Sequence, residues 1–181
     1  MINSVIIKNM KITLYSEPSI DGFIATTDHD TSWVFNIDSG EFTKFVQNCE
    51  VVLMGKQTFI FAEEDGDFPY DGPYNVVFTS DKELLSRPKS DGYLFTNESP
   101  AYIVKQLQND GFQKVGVIGG GKLNGSMINA GLVDEMILIH HPIILGDGKR
   151  LFNGADIYEK VTLVSTESLP LNLIKSVYRL K

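Results

Sequence analysis

Cysteine and long apolar runs are scarce in this sequence. The 181-residue chain contains one cysteine, Cys49, which excludes an internal disulfide and any cysteine-rich zinc site. No apolar run approaches the roughly 20 residues that are needed to cross a bilayer, so we expect no membrane span. Because no typical secretory signal opens the chain either, we expect the protein in the cytoplasm.

Positive charge is also scarce. The chain has 16 lysines and arginines against 23 aspartates and glutamates, and its formal net charge is -7. Such a field repels phosphate backbones and anionic lipids, so we expect neither nucleic acid nor a membrane as partner. A hydrophobic content of 43% is too high for a disordered chain. We expect residues 10–181 to form one domain. The preceding residues 1–9 are a short extension or an upstream start, to which we assign no function.

Several sequence patterns that identify common active sites are missing. There is no HExxH motif, no GxSxG motif, and no GxGxxG motif, because Asn124 stands where the last glycine would be. His140 and His141 are neighbours in a predicted strand, so their side chains point to opposite faces and do not readily share a metal ion. We therefore predict no metal site.

Short apolar runs rich in β-branched residues alternate with stretches of helical periodicity, which is typical of layered α/β proteins. The last thirty residues alternate apolar and polar side chains on both sides of Pro170, which favours antiparallel strands at the end of a mostly parallel sheet. Residues 62–74 are rich in acids, glycine and proline, and predict a surface loop. Strands are predicted at residues 11–16, 51–55, 75–80, 92–96, 114–119 and 136–145, and helices at residues 39–49 and around Ile103–Leu107 and Leu123–Ile128.

Three predicted strand ends carry glycine, hydroxyl or basic side chains. They are Gly55–Thr58, Thr79–Ser80 and Gly119–Lys122. In an open α/β sheet, ligands bind beyond the carboxyl ends of the strands, and the free amides at a helix start attract phosphate. Taken singly, Gly119–Lys122 is also compatible with a tight turn that binds no ligand, and Gly55–Thr58 is more typical of a helix cap beside a solvated lysine.

Asp38 is the candidate functional carboxylate. It lies at the start of the helix predicted at 39–49, where Phe42 and Phe45 occupy the apolar face. It is either the N-cap of that helix, with both phenylalanines in the core, or a buried anchor for a ring amine.

Seven segments, in order and with matching spacing, resemble the dihydrofolate reductase superfamily. The resemblance is strongest to the reductase domain of the bifunctional riboflavin-biosynthesis deaminase-reductase, and it covers nearly the whole chain from Met10. It implies a three-layer α/β/α fold, an NADPH-dependent oxidoreductase, and a homodimer in which late strands pair the subunits. The segments are SIDGFIA (19–25), Trp33–Asp38, LMGKQTF (53–59), NVVFTS (75–80), VIGGGKL (117–123), GLVDEMIL (131–138) and PIILGDGKRLF (142–152).

The resemblance also implies roles for particular residues. Gly119 and Gly120, whose peptide is often cis in the family, would contact the pyrophosphate of NADPH. Lys56 stands where an arginine usually meets the 2′-phosphate, and Ile24 and Ala25 match the region beside the nicotinamide. The remaining implied cofactor contacts are Gly55, Thr58, Thr79, Ser80, Gly121, Lys122 and Leu123.

On the substrate side, the resemblance places Asp38 at the catalytic acid, five residues after Trp33. Trp33 and Phe42 would line the substrate pocket. In this position, Asp38 would hold a ring amine and assist protonation beside the carbon that accepts the hydride.

The chain also departs from folate reductases. Pro73 stands where an arginine holds the glutamate tail of folate, Ile139 replaces a supporting threonine, and Glu63, Glu64, Asp65 and Asp67 would repel that tail. We therefore expect a reductase resembling 5-amino-6-(5-phosphoribosylamino)uracil reductase, acting on a heterocyclic, carbonyl or imine substrate. Lys149 and Arg150 are candidates for binding a substrate phosphate. The alternatives are a dihydrofolate reductase-like pterin reductase and a non-catalytic NADPH-binding protein of the same fold.

Overall fold

The computed structural model describes residues 10–34, 40–156 and 158–180. Asp38 and residues 1–9 lie outside the described residues. In chain order the elements are β1 (Lys11–Ser16), β2 (Phe23–Ala25), α1 (Glu41–Gln47), β3 (Val51–Gly55), α2 (Lys56–Glu64), β4 (Tyr74–Phe78), α3 (Lys82–Ser86), β5 (Tyr93–Thr96), α4 (Pro100–Asn109), β6 (Lys114–Val117), α5 (Gly121–Asn129), β7 (Glu135–His140), β8 (Lys149–Arg150), β9 (Thr162–Leu169) and β10 (Leu173–Arg179).

Eight of the strands form one sheet in the order β5-β4-β3-β6-β1-β7-β10-β9. The first six strands in this order, from β5 at the edge to β7, run parallel to one another. Strand β10 pairs antiparallel with both β7 and β9. The central strands are apolar on both faces, as in β3, where Val51–Met54 are fully buried. The prediction of a mostly parallel sheet with an antiparallel finish is confirmed.

Helices cover both faces of this sheet. On one face, Leu53 and Val117 pack in a core with Ile103 of α4 and Met127 of α5. On the other, strand residues such as Met54 pack with apolar residues of α1, α2 and α3. The three-layer α/β/α architecture is therefore confirmed. No helix in the described ranges is both long enough and apolar enough to span a bilayer.

Some predicted boundaries were wrong. Helix α1 begins at Glu41 rather than at residue 39, with Gly40 as its N-cap residue. Helix α2 continues to Glu64, into the segment predicted as a loop, because its residues Phe59 and Ala62 are buried against the sheet. Strand β7 ends at His140 rather than at residue 145, shortly before a proline that cannot donate to a ladder. The short elements α3 and β8 were not predicted.

The segment that contains β8 is held against the start of α5. The Asn153 N–H donates to the Gly121 carbonyl at 3.0 Å, and the Asn124 side-chain amide donates to the Leu151 carbonyl at 3.0 Å. A Cβ atom added at Gly121 would collide with the backbone carbonyl of Arg150. Glycine at position 121 therefore allows β8 to approach the helix.

This contact predicts the effect of Gly121→Ala. Because the clash is with backbone rather than with a flexible side chain, we expect the substitution to lower the free energy of unfolding by about 1–3 kcal/mol. Denaturant unfolding followed by circular dichroism would measure the loss. Gly92→Ala is the matched control, since the nearest atom to its new Cβ is the Ser90 hydroxyl at 3.9 Å. Equal stability of the two variants would contradict the packing role of Gly121.

Candidate functional site

A cavity of about 820 Å³ opens at the carboxyl ends of the parallel strands. Its walls include residues at the ends of β3, β4 and β5 and at the starts of α2, α4 and α5, and residues of β2 and β8 close another side. The volume is within the range of small-molecule and cofactor pockets. The strand-end cleft expected from the sequence is thus present.

Ten of the twelve predicted cofactor-binding residues line this cavity, and their binding roles stay predictions. The other two, Gly119 and Thr58, are next to lining residues. The Gly55 N–H donates to the Gly119 carbonyl at 2.8 Å, and the Thr58 hydroxyl lies 3.7 Å from the position of a Cβ atom built on Gly119. The ten lining residues are Ile24, Ala25, Gly55, Lys56, Thr79, Ser80, Gly120, Gly121, Lys122 and Leu123.

Two helices begin at the cavity wall without a side-chain cap. The N-cap residues of α2 and α5 are Gly55 and Gly120, and in the described part of the chain neither helix has a side-chain hydrogen bond from its N-cap residue. By contrast, α4, which also begins at the cavity, is capped by the Ser99 hydroxyl. The Gly119–Gly120 peptide is cis, as the family resemblance implied. Uncapped first-turn amides are donors that suit an anionic group such as phosphate.

The cavity lining is basic although the chain is acidic. The described lining residues include one acid, Glu98, and four basic side chains. The basic residues are Lys56, Lys122, Lys149 and Arg150. The Arg150 guanidinium also lies over the Phe23 ring, 5.4 Å from its centroid. The local field therefore attracts anions even though the net charge is -7. Lys149 and Arg150, the candidates for a substrate phosphate, share this cavity with the predicted cofactor contacts.

Lys56 forms an ion pair that sequence reasoning did not find. Its Nζ atom lies 2.6 Å from Oδ2 of Asp81, and both side chains are partly exposed. The other carboxylate oxygen of Asp81 accepts the backbone N–H groups of Glu83 and Leu84 and caps α3. The hydrogen bond from Lys56, followed by these backbone donors, lowers the pKa of Asp81. Any anion that binds Lys56 must therefore share it with a carboxylate that is fixed in place.

The residues predicted to bind substrate do not line this cavity. Phe42 packs between Tyr15 and Tyr70, with ring centroids 5.6 Å away in both cases. Trp33 presents its ring to His141 at 5.6 Å in an edge-on geometry. Trp33 therefore lies beside the residue that follows β7, and Phe42 packs in the core that α1 forms with β1, β3 and β4. The predicted catalytic Asp38 lies outside the described residues.

Sequence reasoning missed most of the remaining cavity wall. Thr96, Asn97 and Glu98 follow β5, and the strand-end rule that selected Thr79 and Ser80 would have found them. The others reach the cavity through tertiary packing, for which no local pattern exists. These are His29, Thr31, Gln57, Phe61, Phe78, Pro100, Ser126 and Asn153. Within the described part of the chain, no cluster of histidine, cysteine, aspartate and glutamate could hold a metal ion.

The chain is similar to several known proteins. It is 29% identical over 184 residues to the uncharacterized protein YyaP of Bacillus subtilis, covering 95% of this chain and 96% of YyaP. A solved structure from Shewanella sp. PV-4, provisionally assigned to riboflavin biosynthesis, superposes with a TM-score of 0.80 at 23% identity, covering 95% of this chain and 99% of that chain.

A second solved structure is the diaminohydroxyphosphoribosylaminopyrimidine deaminase/5-amino-6-(5-phosphoribosylamino)uracil reductase of Thermotoga maritima. The TM-score is 0.72 at 18% identity, and the match covers 96% of this chain but 57% of that chain. The present chain thus corresponds to a part of that protein. The family model for the RibD C-terminal domain matches residues 10–174. The chain therefore belongs to the RibD C-terminal domain family.

Proposed function

We propose that this protein is an NADPH-dependent reductase that transfers a hydride to a heterocyclic substrate resembling an aminopyrimidine, and that it acts in the cytoplasm. One observation carries the proposal: a single cavity joins two uncapped helix starts and four basic side chains to the positions that the family resemblance assigns to the cofactor. The match to the RibD C-terminal domain supports the reductase class.

The residues present fit a phosphorylated dinucleotide. The uncapped starts of α2 and α5 offer amide donors for the pyrophosphate, and Lys56 and Lys122 offer charge for further phosphate. Ile24 and Ala25 form an apolar stretch of the wall, suited to a nicotinamide ring. When bound, the cofactor would supply the hydride, and the protein would align it with the acceptor in a site that excludes water.

The substrate class rests on relatives and on sequence. The Thermotoga maritima enzyme is named as a reductase of 5-amino-6-(5-phosphoribosylamino)uracil. Lys149 and Arg150 line the cavity and could bind such a phosphate, while Asp38 would protonate the acceptor. Pro73 stands where, by the family resemblance, an arginine would hold the tail of folate, which counts against a folate substrate.

The direct test combines binding with turnover. Purified protein is titrated with NADPH and NADH, and NADPH oxidation is then followed with aminopyrimidine, pteridine and quinone acceptors. Saturable NADPH binding with oxidation by an aminopyrimidine supports the proposal. The absence of binding to either cofactor would refute it, and tight binding without turnover would identify a non-catalytic NADPH-binding protein.

The Lys56–Asp81 ion pair yields a prediction about cofactor preference. Lys56→Ala should lower the affinity for NADPH about tenfold and leave the affinity for NADH nearly unchanged. A tenfold loss is the lower end for a charge-assisted hydrogen bond, because the lysine is partly exposed. Asp81→Asn keeps a capping side chain but removes the charge that pairs with Lys56. It should therefore raise the affinity for NADPH about two- to fivefold. Isothermal titration calorimetry measures both ratios.

Lys105→Ala, on the exposed face of α4, is the control for a simple loss of positive charge. It should leave both affinities unchanged. Equal weakening of NADPH and NADH by Lys56→Ala would remove this lysine from the 2′-phosphate role.

Asp38 is predicted to act on the substrate and not on the cofactor. Asp38→Asn removes the ionisable proton donor while keeping the size of the side chain, so turnover should fall at least about a hundredfold. NADPH affinity should remain within about twofold of the wild-type value. Steady-state kinetics with the acceptor found above would check the first value, and a parallel loss of NADPH binding would count against this role.

We also propose a homodimer that pairs through β9. This strand is at the edge of the sheet, and seven of its eight residues are exposed. Leu163 is 53% exposed and Val164 is 46% exposed. Because neighbouring strand residues point to opposite faces, β9 is uncovered on both faces. A second copy of the chain would cover this apolar edge and satisfy its unpaired backbone groups.

The dimer is testable by sedimentation velocity. We expect the wild-type protein to sediment as a dimer and Leu163→Lys to shift it towards the monomer, because a lysine would be buried without a partner. Tyr102→Lys, which changes an equally exposed side chain on α4, should leave the dimer intact. A wild-type protein that sediments as a monomer at all concentrations would exclude the dimer.

A further inference from the structure

A carboxylate is fixed at the ends of β1 and β7, outside the cavity described above. Glu17 directly follows β1 and His141 directly follows β7. These two strands are parallel neighbours, so their carboxyl ends meet. The Nε2 atom of His141 lies 2.9 Å from one carboxylate oxygen of Glu17, and the Tyr15 hydroxyl donates to the other oxygen at 2.8 Å.

Both donors to Glu17 are held rigidly. Tyr15 is buried and stacks on Phe45 with ring centroids 5.0 Å apart. Burial, with the nearby charge of Glu17, raises the pKa of Tyr15 far above its usual range, so the phenol remains a donor. His141 is fully buried, and its backbone N–H donates to the Pro18 carbonyl at 2.9 Å. The sheet therefore fixes the orientation of the Glu17 carboxylate.

The fixed carboxylate keeps the capacity to bind a ligand. The side chain of Glu17 is 20% exposed, whereas His141 has no exposed surface. A carboxylate oxygen can accept two hydrogen bonds, so each oxygen can accept one more besides the bond described. An oriented acceptor pair with one open side suits a group that presents N–H donors.

An unsatisfied donor lies on a ring that contacts His141, one of the two partners of Glu17. The indole Nε1 of Trp33 is buried and has no hydrogen-bond partner among the described residues, and the Trp33 and His141 rings are perpendicular with centroids 5.6 Å apart. Buried polar groups without a partner are rare in native structures, and a bound ligand is one way to satisfy them. The described residues thus bring a fixed acceptor, Glu17, and an unsatisfied donor, Trp33, into contact with the same buried side chain, His141.

Glu17 is also connected to the wall of the cofactor cavity. The short loop after it is closed at Ser19, whose N–H donates to the Phe23 carbonyl at 2.8 Å and whose hydroxyl accepts the Phe23 N–H at 3.0 Å. Strand β2 begins at Phe23 and brings Ile24 and Ala25 to the cavity. The loop from Glu17 therefore leads directly into the strand that carries the proposed nicotinamide position.

We propose that Glu17 binds the amino and ring N–H groups of the heterocyclic substrate, with Trp33 Nε1 donating to a ring carbonyl oxygen and with Tyr15 and His141 as positioning residues. The proposal rests on the proposed function for its ligand class, an aminopyrimidine. It adds a second substrate-binding acid to the one that the family resemblance implies.

The test uses 5,6-diaminouracil as the probe and the full chain. Trp33 is the only tryptophan, so the intrinsic fluorescence of the protein reports directly on this pocket. We expect a saturable fluorescence change with the probe and none with 1,3-dimethyluracil, which lacks N–H donors. Glu17→Gln should lower the affinity for the probe at least about tenfold, as expected for the loss of a charge-assisted hydrogen bond.

Two further variants separate binding from folding. Tyr15→Phe keeps the stacked ring but removes one donor to Glu17, so it should lower the affinity for the probe and leave the affinity for NADPH unchanged. A general loss of structure would lower both affinities. Glu64→Gln removes an exposed acid at the end of α2 and should change neither.

Unchanged probe affinity in Glu17→Gln would overturn the inference, as would a wild-type protein with no saturable response to the probe. NADPH binding is measured in parallel. If it is absent while the probe binds in a Glu17-dependent manner, the proposed reductase function fails and the assignment of Glu17 stands.

Discussion

The structure depends on the close approach of two glycine corners, where β3 passes into α2 and β6 passes into α5. The Gly55 N–H donates to the Gly119 carbonyl at 2.8 Å, which joins the corners directly. Gly119 has a φ of +101°, a backbone conformation that favours glycine. With the corners joined in this way, the amides of α2 and α5 converge on one cavity. Next to this junction, the absence of a Cβ atom at Gly121 lets β8 close the opposite wall.

This arrangement explains how an acidic chain can form an anion site. Charge acts over roughly a Debye length, about 8–10 Å at physiological ionic strength, so local composition matters more than the total. The cavity gathers four basic side chains against Glu98. Asp81 moderates this field, since it pairs with Lys56 while its position is fixed by capping α3. In the proposed function, cofactor selectivity at this corner would be a competition between a bound phosphate and a carboxylate of the protein itself.

The sequence predicted most of the fold because its strands are continuous apolar runs and its helices show clear periodicity. It also predicted much of the cavity wall, since glycine and hydroxyl residues directly follow the strands. It did not reveal partners distant in sequence: Asp81 meets Lys56 across 25 residues, and Glu17 meets His141 across 124. Asn124 illustrates the limit, because it breaks the GxGxxG pattern yet is buried and donates to Leu151, a contact that only the fold creates.

The sheet divides the chemistry between its two halves. Strands β3, β4 and β5 end in glycine, hydroxyl and basic groups, which suit phosphate, whereas β1 ends in Glu17, a carboxylate that suits N–H donors and is held by His141 at the end of β7. Strand β6 lies between these halves, and the loop from Glu17 to β2 connects them. A hydride can pass only between groups in contact, so in the proposed function the cofactor and the heterocycle would meet beside β2. The order of the strands would then place the two proposed binding sites at neighbouring strand ends of one sheet.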